Sequence, residues 1–161
     1  MEDLIWRTVV TKLGPVTLAY NEKGLYALDL PTKDLPPYGQ VAADDPLWVQ
    51  LLAGQLQAYF RGEKVEFTCP IDYRDYPPFI QRVLKETAKI EYGARRSYGW
   101  LAEAVHSPRA YRAVGQAMAR NRTPVVIPCH RVLRSDGSLG GFSGGLGWKE
   151  KLLALESQGG L

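Results

Sequence analysis

The segment Pro128-Cys129-His130-Arg131 is where this 161-residue chain could do covalent chemistry. A thiol is a strong nucleophile only as thiolate, and a cationic neighbour or an adjacent base favours that form. His130 and Arg131 supply both kinds of neighbour within two residues. The competing reading is a buried cysteine beside a basic surface pair. Strand geometry favours it, because Val125-Val126-Ile127 reads as a strand running into Cys129, and adjacent strand side chains point to opposite faces. The second cysteine, Cys69, does not help to decide. Two cysteines are too few for a disulfide scaffold, and these are too far apart in sequence for a zinc pair.

The elements that must position Cys129 can be read around it. Phe79 to about Lys89 has helical spacing, with Phe79, Ile80, Val83, Leu84 and Ala88 on the inner side. Trp100, Leu101, Ala104 and Val105 form the apolar side of a short second helix. Ser107-Pro108, a capping side chain followed by proline, predicts a third helix running through Tyr111, Val114 and Met118 to Arg120. Two helices in quick succession, the second arginine-rich, make a helix-turn-helix. Beyond the strand-like Val125–Ile127, the Ser135-Asp136-Gly137-Ser138 turn within Val132–Leu139 predicts a hairpin, which would complete a winged helix. A last helix runs from about Trp148 to Glu156, released by Gly159-Gly160.

The first part of the chain reads differently. Ile5–Val10, Val16–Asn21 and Leu25–Leu30 are strand-like and separated by turn signals. A Pro-rich stretch, Pro31 to Pro46, precedes a helix carrying Trp48, Leu51, Leu52, Leu56, Tyr59 and Phe60 and stopped by Gly62. Cys69-Pro70 and Tyr76-Pro77-Pro78 bracket a linker. The expected architecture is α+β: a small antiparallel sheet with one helix over residues 1–75, then a winged-helix domain over 76–161. No chemistry is expected from residues 1–75.

With 45% apolar and 23% charged residues, the composition is that of an ordinary globular protein. No apolar run approaches the roughly 18 residues that span a bilayer, and the acidic start Met-Glu-Asp is unlike a secretory leader. The reading is therefore a cytoplasmic protein. The net charge of +3 hides an asymmetry. Residues 1–75 hold 7 Lys/Arg against 11 Asp/Glu, whereas residues 76–161 hold 13 against 6. The C-terminal half is thus suited to meet a polyanion.

Cys129 also stands in a longer pattern. Val132 follows, then Gly140-Gly141-Phe142-Ser143-Gly144-Gly145 and Lys149-Glu150-Lys151-Leu152-Leu153-Ala154-Leu155-Glu156. Ahead of it lie Ser97-Tyr98 and Arg112-Ala113-Val114-Gly115-Gln116-Ala117-Met118. In order and spacing, residues 76–161 resemble the O6-alkylguanine-DNA alkyltransferases, also called methylated-DNA–protein-cysteine methyltransferases. Over residues 1–75 the similarity is one of general layout.

The resemblance implies that Cys129 attacks the carbon on O6 of guanine, that guanine leaves, and that the stable thioether lets each molecule react once without a cofactor. It implies that His130 takes the thiol proton through a water and that Glu156 orients His130, the nucleophile–base–orienter logic of other cysteine enzymes. Asn121 would brace the turn that holds the cysteine. Without the resemblance, Glu156 reads as a solvated acid at a helix end and Asn121 as a helix C-cap. The target atom lies inside the base stack, so the nucleotide must be flipped out. Arg112 matches the finger that fills the gap, although a phosphate-binding arginine fits any helix-turn-helix. Tyr98 would help rotate the target phosphate and donate its hydroxyl to guanine N3, stabilising the departing base; alone, it would read as a core residue. Ser97, Ala113 and Gly115 fall on the implied DNA-contacting surface. Ala110, Ala113 and Ala117, at i, i+3 and i+7, either let the helix approach the minor groove or pack it against a neighbour.

The glycine-rich loop would lie over the base, with the Ser143 N–H on O6, Phe142 lining the pocket, and the Cys129 and Val132 carbonyls accepting from the exocyclic amine. Three departures stand out. Phe142 occupies a position that is tyrosine in several relatives, and Tyr111 is bulkier than the alanine some carry. The N-terminal Cys/His set that binds zinc in some members is missing, so no metal is expected. Cys69 and His106 match nothing and read as structural.

The implied partner is double-stranded DNA containing O6-alkylguanine, bound by a monomer. The nearest alternative is a non-catalytic alkyltransferase-like protein that binds such lesions, which would require an inert Cys129. A plain winged-helix regulator gives no reason for Pro-Cys-His-Arg, and a thiol hydrolase gives none for the basic helix-turn-helix.

Overall fold

A computed structural model describes residues 3–142 and 145–159. Three strands pair antiparallel in sequence order: β1 (Ile5–Thr11), β2 (Gly14–Asn21) and β3 (Gly24–Asp29). The central β2 is buried along most of its length, Val16 and Leu18 completely, which explains its nearly unbroken apolar run. Gly14 sits at φ +122, and a Cβ there would come 2.8 Å from Pro31 Cβ, so the β1–β2 turn requires glycine. Helix α1 (Leu47–Phe60) packs on β1 and buries Val49, Leu52, Leu56, Tyr59 and Phe60. Each such side chain removed from water contributes roughly 1.5–3 kcal/mol.

The C-terminal part is mainly helical. Helix α2 (Pro78–Thr87) opens on Pro78 at its first turn. A two-residue strand β4 (Arg96–Ser97) leads into α3 (Tyr98–Ala104), capped by Ser97, whose Oγ accepts from Trp100 N at 3.0 Å. Helix α4 (Tyr111–Ala119) follows, then a 3-10 turn (Cys129–Arg131), β5 (Val132–Leu133) and α5 (Leu146–Gly159). Helices α2, α3 and α4 pack mutually, and α5 packs on the Cys129 turn. Among the described residues, no helix is long and apolar enough to cross a membrane.

Three local expectations fail. Helix α4 begins at Tyr111, not Ser107. Residues 107–110 form a separate turn in which Ala110 N donates to Ser107 O, and no side chain caps α4. Proline suits the second position of a tight turn as well as the first turn of a helix, so Ser-Pro alone does not separate the two. Val125–Ile127 is not a strand; Val125 lies at φ +75 and Ile127 N closes back on Thr123 O at 2.9 Å. These residues are apolar because they are buried, not because they pair with a neighbouring strand. The 134–138 reversal is present, with Asp136 accepting from Ser138 N, but β5 ladders in parallel with β4, not with a returning hairpin strand. The backbone carbonyls of Val132 and Leu139 point to the Lys149 ammonium instead.

The segment joining the two parts is also bound. Leu25 N donates to Pro70 O and Asp72 N to Leu25 O, which adds a short parallel bridge to β3. The Arg122 guanidinium is sandwiched between the Tyr26 and Tyr76 rings, 3.9 and 4.0 Å from their centroids. It donates to the carbonyls of Tyr26, Asp72 and Arg74, each at 3.0 Å. One arginine thereby ties the sheet to the turn that follows α4.

Candidate active site

Cys129, His130 and Arg131 all point inward, and Cys129 and His130 are completely buried. The 3-10 turn makes this possible. Three residues per turn spread consecutive side chains around one axis instead of sending alternate ones to solvent. Arg131 N donates to Pro128 O and Cys129 N to Ile127 O, closing the turn.

Asn121 braces Cys129. Its Nδ2 donates to Ile127 O at 2.9 Å and to Cys129 Sγ at 3.1 Å, while its Oδ1 accepts from Thr123 N. The side chain stands in for a missing strand neighbour and places one N–H on the sulfur. His130 Nε2 meets Glu156 Oε2 at 2.5 Å, and His130 Nδ1 is buried with no protein hydrogen-bond partner among the described residues. Burial pushes the His130 imidazole below its ordinary range despite Glu156 beside it. Burial also pushes the Glu156 carboxyl up, but hydrogen bonds from His130 and Arg131 overcome this and hold it well below the usual carboxylate range. The ionised carboxylate only accepts, so the neutral ring must carry its proton on Nε2 and present a bare lone pair at Nδ1.

Arg131 does not serve the sulfur as the sequence suggested. Its guanidinium donates to Glu156 Oε1 at 2.8 Å, to Glu156 Oε2 at 3.0 Å and to the Ile90 carbonyl. The cation that interacts electrostatically with Cys129 is Lys149. It is completely buried and donates to the carbonyls of Val132 (2.8 Å), Gly141 (3.0 Å) and Leu139. Burial lowers its ammonium to about 8, against a pull upward from Cys129.

Tyr98 is half-buried, and burial raises its phenol pKa, so it stays protonated and able to donate. Gly140, at φ +66, crosses its ring so closely that a Cβ would sit 2.2 Å from Tyr98 Oη. Phe142 packs edge-on against His130, ring centroids 6.4 Å apart. On α4, Arg112 and Tyr111 are exposed and Ala113 and Gly115 half-buried, and Ala110, just ahead of the helix, is half-buried too. Ala117 is completely buried, so the small-residue stripe packs inward at its C-terminal end. Ser143 lies outside the described residues. Among the described residues, no three His, Cys, Asp or Glu side chains cluster as metal ligands.

Residues 78–158 match the DNA-binding domain of 6-O-methylguanine DNA methyltransferase, and residues 4–73 match its ribonuclease-like domain. The chain is 39% identical to the methylated-DNA–protein-cysteine methyltransferase of Mycobacterium bovis over 94% of its length and 91% of that protein's. It belongs to the 6-O-methylguanine DNA methyltransferase family. The Methanosarcina barkeri enzyme of the same name is 40% identical, covering 92% of this chain and 94% of its own. A crystal structure of Mycobacterium tuberculosis OGT in complex with DNA superposes with a TM-score of 0.80 at 38% identity, covering 96% of this chain and 93% of that one.

In this family member the structure brings Cys129, His130, Asn121 and Glu156 into one buried cluster and leaves Arg112 on a neighbouring exposed surface. Sequence reasoning missed Tyr59 and Lys149. Tyr59 comes from α1, in the part of the chain from which no chemistry was expected; its hydroxyl donates to Glu156 Oε2 at 2.6 Å. Nothing local in α1 signals this, because the partner is 97 residues away. Lys149 did carry a signal. It shares a helical face with Leu152, Leu153 and Glu156, all buried, and a charge on such a face has to be satisfied inside.

Proposed function

We propose that this chain repairs O6-alkylguanine in DNA by taking the alkyl group, directly and once per molecule, onto Cys129. The observation that carries the reading is His130, with Nε2 engaged by Glu156 and Nδ1 left as a bare acceptor, next to a thiol braced by Asn121. A bridging water passes the Cys129 proton to Nδ1, and the Asn121 N–H stabilises the resulting thiolate. The thiolate attacks the alkyl carbon, the S–C bond forms, and the bond from that carbon to O6 breaks. The electron pair stays with the guanine, and the Tyr98 hydroxyl donates to N3 as charge builds there. A thioether offers no leaving group to water, so the protein is not regenerated.

Delivery of the base draws on the exposed face of α4. Arg112 enters the stack in place of the extruded nucleotide, with Ser97, Ala113 and Gly115 against the DNA. The Phe142 ring and the carbonyls of Cys129 and Val132 line the base pocket, and Ser143 completes it. The protein acts as a monomer in the cytoplasm, wherever the DNA is, and divides into domains at residues 75/76.

The decisive experiment is a peptide map. After incubation with duplex DNA carrying O6-methylguanine, the peptide containing Cys129 should gain one methyl group, and the Cys129→Ala variant should gain none while still binding the lesion. Methyl transfer by that variant would overturn the proposal.

A further inference from the structure

We infer that Tyr59, carried by the N-terminal part of the chain, is a positioning residue for alkyl transfer: its hydrogen bond to Glu156 sets how strongly that carboxylate holds His130. The inference rests on the reading of His130 as the base. Tyr59 is completely buried, and its ring packs among Phe60, Phe67 and Tyr92. A phenylalanine would fill that space equally well, so the hydroxyl needs its own explanation.

The hydroxyl is aimed at Glu156 Oε2, the oxygen that also holds His130, and lies 3.4 Å from His130 Nε2. Arg131 Nη2 reaches the same oxygen at 3.0 Å, whereas Arg131 Nε and Gly93 N take Oε1. Three donors therefore share Oε2. A carboxylate oxygen has about two lone-pair directions, so what one donor takes the others lose. The Tyr59 hydroxyl draws off part of the charge that Glu156 would otherwise direct at the imidazole.

The sign of the effect follows. Without the hydroxyl, Glu156 holds the His130 Nε2 proton more tightly and favours the imidazolium. Protonation of Nδ1 from solvent, which blocks the base, then occurs at higher pH. The other groups facing the pair are Arg131 on the 3-10 turn, Lys149 on α5, Tyr92 ahead of β4, and Cys129 itself. None of them gains or loses a charge when one oxygen is removed from Tyr59, and Arg131 keeps Oε1 through its Nε.

The test is the pH profile of single-turnover alkyl transfer from a free O6-benzylguanine base, which leaves DNA binding out. Tyr59→Phe should move the acid limb up by roughly 0.5–1 in pH, slowing transfer about 3–10-fold at a fixed acidic pH. Replacing Tyr59 with 3-fluorotyrosine keeps the ring and strengthens the donor, so the limb should move down. This second substitution decides the matter even if Tyr59→Phe folds poorly. Opposite shifts support the inference, since a merely structural role would lower the melting temperature without moving the limb either way. Superimposable profiles, or shifts in the same direction, overturn it. If the parent protein transfers no alkyl group, it is the proposed function that fails.

Discussion

At the scale of single residues, Cys129 receives an amide N–H on its sulfur and lies within the electrostatic reach of the Lys149 ammonium. Asn121 Nδ2 lies 3.1 Å from Cys129 Sγ, Arg131 is spent on Glu156, and the Lys149 ammonium is occupied by three carbonyls. A hydrogen bond to an ionised group contributes roughly 1.5–3 kcal/mol. Asn121→Ala should therefore raise the pH at which the Cys129 thiol ionises and slow transfer to free O6-benzylguanine roughly 10–100-fold. Iodoacetamide reactivity measured against pH checks this without DNA. An unshifted ionisation curve would mean that the amide only holds the turn through Ile127 O, and that the sulfur is activated elsewhere.

At the scale of elements, the helices were readable because glycine and apolar spacing act locally: Gly62 follows α1 as expected, and α2 takes in Pro78, which the sequence reading leaves at the edge of the linker. Val125–Ile127 was misread because hydrophobicity reports burial and does not say what does the burying. The hairpin was misread because a turn signal fixes the reversal and not the ladder. Cys129, His130 and Glu156 were legible together only through their spacing in a longer pattern; Tyr59 was not legible at all, since no local rule aims a side chain across 97 residues. Lys149 shows what replaces the missing ladder. One ammonium gathers the carbonyls of Val132, Leu139 and Gly141 and holds the chain over Tyr98 and His130. Lys149→Met should leave α5 packed but release residues 139–142. Faster hydrogen exchange and new proteolytic cleavage there, with slower transfer to both free base and duplex, are the expected results. Lys149→Arg should not restore them, because a planar fork cannot converge on three carbonyls as an ammonium does. Unchanged exchange in this loop would show that the Gly140–Tyr98 contact alone holds it.

At the scale of the whole molecule, the Cys129 site and the junction between the two parts share one short segment. Asn121 touches the sulfur, and the next residue, Arg122, is clamped between Tyr26 and Tyr76 and donates to three carbonyls across the junction. Alkylation adds volume at a completely buried atom, and overpacking costs roughly 1–3 kcal/mol. A thioether carries no charge and no S–H, so the Asn121 N–H loses the chance of a charged acceptor and the buried cluster loses a proton donor beside it. The strain passes first into the Asn121–Cys129 turn, then into the C-terminal end of α4 and the Arg122 clamp. Alkylated protein should therefore melt below the unmodified protein, by about 2–4 °C for each kcal/mol lost in a chain of this size, and further with benzyl than with methyl. Hydrogen exchange should rise first in α4 and residues 120–128, while α1 and the three-stranded sheet stay protected. Arg122→Ala, left unalkylated, should open the same segment, since it releases the same turn from the other side. A melting temperature unchanged by the benzyl group would show that the pocket absorbs the adduct, and exchange rising equally in the sheet would show that the strain does not travel through Asn121.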